Sequence, residues 1–364
     1  MIKSYKLKKI NNLLVYGSAN NSVNSVLGKI RKFLPNKTNA QEIIHPKEIE
    51  RRERLGTTAL FEDICPNFPF SEKLKGITSY ANSALIISGD CGFAFSNLQY
   101  WTKKLEEFNK ALVDNDTFIF FIRGEYDEPQ LFKDEAISLS NIKTIQDYSV
   151  ISLATFDCLC IGGGISLDRE WKKNQEKRIE KKLYWEDEGF VYDEAKINEA
   201  LDKFNIGCIV TNVSPSFTFP GTNQLNKNPW TKNDDAILKE SVNERIMVDK
   251  IYQHLVEKNK KPFVWFYSKY KAHNENCLND ILFFSIGKGF FSFNELVKAN
   301  FNIDLKTKAT NNSTNFVDII EKKLEEIETL DWLDAPAVGG EEALDEEQEV
   351  EAIPIQMPHP NNPF

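Results

Sequence analysis

Short apolar runs separated by turn residues set the rhythm of this chain. They are LLVYG (13–17), ALIISG (84–89), TFIFFI (117–122), SVISLAT (149–155), DCLCIG (157–162), GCIVT (207–211), PFVWFY (262–267) and ILFFSI (281–286). Each has the length of a strand and is rich in β-branched or aromatic residues, which predicts a strand at each place. Apolarity is nearly continuous within the runs, the pattern of strands covered on both faces. Helical spacing fills several intervals. NSVNSVLGKIRKFL (21–34), LQYWTKKLEEFNKALVD (98–114), DEAKINEALDKF (193–204) and SVNERIMVDKIYQHLVEK (241–258) each place apolar side chains along one face. Strands alternating with helices predict an α/β protein with helices layered on sheet. The neighbouring runs between 149 and 162 suggest a hairpin, and therefore a mixed sheet or two sheets face to face.

Three stretches break the rhythm. Residues 35–80 are irregular and read as an insertion, with the charged HPKEIERRERLG and the loop-like CPNFPFS. The segment 317–333 has an amphipathic helical pattern. Beyond it, residues 334–364 have the Pro, Gly and acid content of a disordered tail. The predicted organisation is therefore one domain over 1–333 and an acidic tail over 334–364.

Charge sharpens this division. The chain carries 45 Lys and Arg against 54 Asp and Glu, a formal net charge of −9. Nine of the acids lie in 331–364, where there is no Lys or Arg, so the remainder holds 45 acids against 45 bases. A neutral body argues against a surface built mainly to grip polyanions. The six cysteines are scattered without a CxxC pair, the usage of free buried thiols in a reducing compartment. The basic N-terminus is followed by no apolar core of a signal peptide, and no apolar run reaches the span of a membrane helix. A cytoplasmic location is the expectation.

Polar loops follow the runs: YGSANNS, SGDCGF, RGEYDEP, GGGISLDREW, TNVSPSF and YSKYKAHNEN. Loops at strand ends are where α/β sites form. Their order and neighbours resemble the calcineurin-like metallophosphoesterases over roughly residues 12–290, and a bacterial branch of that family in particular. The resemblance implies a four-layer αββα sandwich of two mixed β-sheets flanked by helices, with metals held by loops at one edge. It also assigns positions. Ser18 and Asn20 stand for the aspartate and histidine of GDxH, and Asp90 keeps the metal-bridging aspartate. Glu125 and Tyr126 replace the asparagine and histidine of GNH, and the acid that follows is kept as Asp127. Asn212 replaces a strand-end histidine. Ser268 and Tyr270 replace the two histidines of GHxH.

Of those ligand and proton-donor positions only Asp90 is intact. None of the four histidines, His45, His254, His273 and His359, falls where a ligand is needed. Two-metal hydrolysis needs fixed ligands and a proton donor beside the leaving group. The resemblance with these replacements therefore implies no cofactor and no catalysis, and a scaffold or binding subunit that meets a protein partner. One alternative keeps chemistry: Asp90, Glu125, Asn20 and Asn212 offer oxygen donors for a single hard cation, Mg²⁺ or Ca²⁺ (Mn²⁺ also in an active phosphoesterase). Without a metal, the polar pocket pairs Glu125 with Lys269 or Arg123.

Two further features extend the reading. The run 169–188 mixes Lys172, Lys173 and Arg178 with Trp171, Tyr184 and Trp185, which reads as a solvated helix with Glu176 and Glu180 balancing the bases. Its functional alternative is a nucleotide or nucleic-acid contact, a sensor without turnover. Asp168 and Arg169, after the Gly-rich turn, are expected to pair with each other or brace loops. The tail offers LDWL or IPIQM as apolar anchors for partner docking.

Overall fold

The computed structural model describes residues 1–19, 23–32, 34, 81–93, 98–179, 182–221, 224–225, 230, 235–287, 289–303 and 305. The chain divides into two units, Met1–Asn312 and Ser313–Phe364. The segment 35–80, the predicted helix 317–333 and the tail 334–364 lie outside the described residues.

Each of the apolar runs forms a strand. They are β2 (Asn12–Tyr16), β3 (Ser83–Ser88), β4 (Phe118–Ile122), β6 (Ser149–Ser152), β7 (Asp157–Ile161), β8 (Ile206–Thr211), β9 (Val264–Tyr267) and β11 (Ile281–Ser285). β6 and β7 pair antiparallel, the expected hairpin. Four more strands carry too little pattern to be seen beforehand: β1 (Ser4–Lys6), β5 (Ile142–Thr144), β10 (Asn274–Leu278) and β12 (Phe290–Ser292). Each lies at the edge of a sheet, and all five residues of β10, NENCL, are exposed. Short edge strands are one way sheets avoid further pairing, and three to five residues are too few to show a pattern.

One sheet has seven strands in the order β1-β6-β7-β8-β9-β11-β10, the other five in the order β12-β2-β3-β4-β5. Both are mixed. β2, β3, β4 and β5 run parallel with β12 antiparallel beside β2. β7, β8, β9 and β11 also run parallel, flanked by antiparallel β6 and β10.

The helices cover the outer faces. α1 (Val23–Lys32), α2 (Leu98–Val113) and α3 (Pro129–Lys133) lie on the five-stranded sheet. Their Val23, Ile30, Leu105, Leu112 and Phe132 join Leu14, Leu85, Ile87 and Phe121 in one buried cluster. On the seven-stranded sheet lie α5 (Glu194–Lys203) and α6 (Asp235–Glu257), and between β7 and β8 runs α4 (Arg169–Ile179). Ile197, Leu201, Val248, Ile251 and Leu255 cluster with Leu159, Ile209, Trp265 and Phe283. Each such side chain contributes about 1.5–3 kcal/mol on burial. α6 begins six residues before the run SVNERIMVDKIYQHLVEK, with Asp235 to Glu240 forming its first turns. α7 (Phe293–Phe301) follows β12, capped by Ser292 and closed by Asn302 in the left-handed region.

The inner faces of the two sheets meet directly. Tyr5 packs on Phe120 across them with ring centroids 5.4 Å apart, and Phe284 packs on Phe291 at 5.0 Å. The protein is therefore an α/β sandwich of two mixed sheets flanked by helices. No helix among the described residues is long and apolar enough to cross a membrane. Cys91, Cys158, Cys160 and Cys208 are buried free thiols, whereas Cys277 on β10 is exposed.

Candidate functional site

The carboxyl ends of β2, β3 and β4 in one sheet meet those of β7, β8 and β9 in the other. A polar seam joins them. Ser88 at the end of β3 donates its hydroxyl to the Thr211 carbonyl at 3.2 Å, and Ser268 donates to the Ser88 carbonyl. The Asn212 amide reaches the same carbonyl at 3.4 Å and Ser268 Oγ at 3.5 Å. Asn212 and Ser268 thus spend their donors on holding the sheets together.

The loops around the seam are packed closely. A Cβ on Gly89, whose φ is +88°, would stand 2.4 Å from the Asn212 amide nitrogen. One on Gly124 would meet Asp90 Oδ1 at 2.4 Å. Asp90 itself sits in the left-handed region at φ 53°, a conformation that Asp tolerates better than most residues. Ser18 Oγ donates to its Oδ2 at 2.5 Å. Asn20 lies outside the described residues.

Asp127 ties these loops together and holds no ligand position. Its Oδ2 accepts the Cys91 and Gly124 amides at 3.1 and 2.9 Å, and its Oδ1 accepts the Gly92 amide at 3.0 Å. Burial pushes its carboxyl up to about 6, helped by Asp90 and opposed by those three amides. Asp127 is fully buried, and both of its oxygens are committed to these amides.

Glu125 is surrounded differently. Its Oε2 accepts no hydrogen bond from the protein and faces Lys269 Nζ at 3.8 Å. Two unit charges about 4 Å apart attract by about 4 kcal/mol at an effective dielectric of about 20. Removing a carboxylate from water costs a comparable several kcal/mol. Here burial outweighs Lys269, and it pushes Glu125 up to about 8. Arg123, the other candidate partner, is taken by Asp147 at 2.7 Å and by the Glu188 and Gly189 carbonyls.

Lys269 is itself enclosed. It donates to the Ile165 carbonyl at 2.6 Å and to Glu244 Oε2 at 3.1 Å. Burial pulls its ammonium down, but Glu244 and then Glu125 carry it above its ordinary value. Lys271, two residues on and part exposed, places its ammonium 3.8 Å from Asp90 Oδ2 and 5.6 Å over the Tyr126 ring. Tyr126 donates to Asp168 Oδ2, and burial followed by Asp168 pushes the phenol far up, so it stays neutral.

The basic run changes most. Lys172, expected on a solvated rim, has no exposed side-chain surface. Its ammonium donates to the Glu125 carbonyl and Ser166 Oγ, lies 3.6 Å from Glu188 Oε2 and covers the Tyr126 ring at 3.8 Å. It is a structural cation and cannot meet a phosphate from solvent. Asp168 and Arg169 do not pair with each other: Asp168 holds Tyr126, and Arg169 reaches Glu240 at 2.6 Å. Glu176 does not balance bases on its helix but accepts the Leu183 and Tyr184 amides beyond it. Lys173 pairs with Glu170, and Arg178 is exposed. A surface groove of about 530 Å³ beside α4 is lined by Lys173, Lys182 and Tyr184 with Glu176, Glu186 and Asp187, so acids outnumber bases.

These residues do not fit a pair of transition metals. Two of the donors at the edge hold the seam, and ammonium groups stand beside both candidate carboxylates. Among the described residues, no group of three His, Cys, Asp or Glu converges on a common metal position. The acids Glu188 and Glu244 were missed from sequence. Glu244 had a signal, since it shares its helical phase with Ser241, Val248 and Ile251; Glu188 had none. Comparison with models of known protein families finds no match, and comparison with curated proteins finds no relative.

Proposed function

We propose that this chain is a metallophosphoesterase-like protein without a working dimetal centre, and that it serves as a scaffold or binding subunit for a protein partner. One observation carries the reading: Asn212 and Ser268, at two positions where the resembled pattern has metal-binding histidines, bond across the seam to Ser88. Function follows the site rather than the fold, and this edge is built to be held shut. The test is hydrolysis of bis-p-nitrophenyl phosphate by the full chain with Mn²⁺, compared with Asp90→Asn. Equal, background turnover supports the reading. Turnover that Asp90→Asn abolishes contradicts it. Partner capture by the full chain, set against a variant lacking 335–364, then separates docking by the tail from docking by the body.

A second reading has its own observation. Asp90 Oδ1, Glu125 Oε2 and Asn212 Oδ1 are buried oxygens without a protein donor, the ligand chemistry of one hard cation. It requires turnover in the same assay with Mg²⁺ or Ca²⁺.

A further inference from the structure

We infer that Lys269 and Lys271 are built-in counter-cations of the carboxylate edge, which keep divalent ions away from its buried oxygen donors. The inference rests on the reading above and explains how the edge keeps its charges without metal.

The edge concentrates acids. Asp90, Glu125, Asp168, Glu188 and Glu244 are all buried there, and four of them, Glu244 excepted, have a carboxylate oxygen with no protein hydrogen-bond donor. Buried acids require positive charge or protons nearby. The loop after β9 supplies it from alternate residues. Lys269 serves Glu244 at 3.1 Å and Glu125 at 3.8 Å, and Lys271 serves Asp90 at 3.8 Å. Lys172 enters from α4 to serve Glu188 at 3.6 Å. Two of these four oxygens, Asp90 Oδ1 and Glu125 Oε2, therefore belong to carboxyls that each already face an ammonium from the loop after β9. A divalent ion approaching either meets like charge at close range in a poorly solvated place, which disfavours it. Tethered ammonium groups also need no ligand geometry, only reach. That suits an edge whose loops leave no room for a Cβ at Gly89, Gly124 or Gly164.

The test is calorimetric titration of the chelator-treated full chain with MnCl₂, for wild type, Lys271→Ala and Lys269→Ala/Lys271→Ala. Removing the lysines is expected to tighten Mn²⁺ binding at least about tenfold over wild type. Thermal unfolding of the double variant is expected to recover several degrees on adding Mn²⁺. Lys271 is part exposed, so Lys271→Ala keeps the test available if the double variant does not fold. Equal binding by wild type and Lys271→Ala overturns the inference, as does tight binding by wild type. Its failure is separable from failure of the proposed function. The function falls if wild type turns over substrate; the inference falls if the variants of an inactive protein stay blind to metal.

Discussion

Asp127 and Glu125 lie two residues apart in one loop, both buried and both acidic, yet they do opposite work. Asp127 faces the loop after β3 and takes three backbone amides, so every lone pair it needs is answered by protein. Glu125 faces the loops after β7 and β9, where its partner is a lysine 3.8 Å away and one oxygen has no donor. The first side of the edge is architecture, fixed by hydrogen bonds of short reach. The second is an electrostatic settlement among carboxyls and ammonium groups. Burial alone therefore says little about a charged residue; the identity of what answers it decides whether it is a brace or a site.

The largest expected effect breaks the settled side. Lys269→Met leaves Glu244 buried with its cation gone and is expected to cost about 3–5 kcal/mol in denaturant unfolding. Next comes the brace. Asp127→Ala strands three buried amides and is expected to cost at least about 2–3 kcal/mol, with Asp127→Asn recovering part of it. An Asp127→Ala protein as stable as wild type would erase the contrast between the two acids.

The third prediction uses pH. Glu125 binds its proton more tightly in the folded chain, about 8 against an ordinary 4.5. Its contribution is complete below about 4.5 and is lost as pH rises through about 8. Asp127 acts in the same direction between 3.8 and about 6. The unfolding midpoint should thus fall from pH 6 to 9, and Glu125→Gln should flatten that fall while Asp127→Asn leaves it in place. A fall unchanged in Glu125→Gln would assign it elsewhere. The smallest effect is the control: Lys173→Ala breaks an exposed pair with Glu170 and should shift stability by no more than about 0.5 kcal/mol.

The interior was legible because its strands are covered on both faces, and continuous runs such as TFIFFI and PFVWFY have no other stable place. β10 was not, since an exposed edge strand made of NENCL looks like loop. At the site, Asp90, Asn212 and Ser268 lie in the polar loops after β3, β8 and β9, which the apolar runs before them mark in the sequence. The charges were misjudged. Lys172 lies in a run of bases that reads as surface, and only the three-dimensional approach of Glu125, Ser166 and Glu188 shows that it is enclosed. Partners between 6 and 104 residues apart in sequence, such as Ser166 for Lys172 and Ile165 for Lys269, leave no local spacing to read.

On the reading proposed above, this edge answers its acids with its own lysines and needs no metal. Elemental mass spectrometry of the full chain, purified without chelator or metal-affinity resin, tests it most directly. Well under one transition-metal ion per chain is expected. One or two per chain, lost in Asp90→Ala, would contradict it.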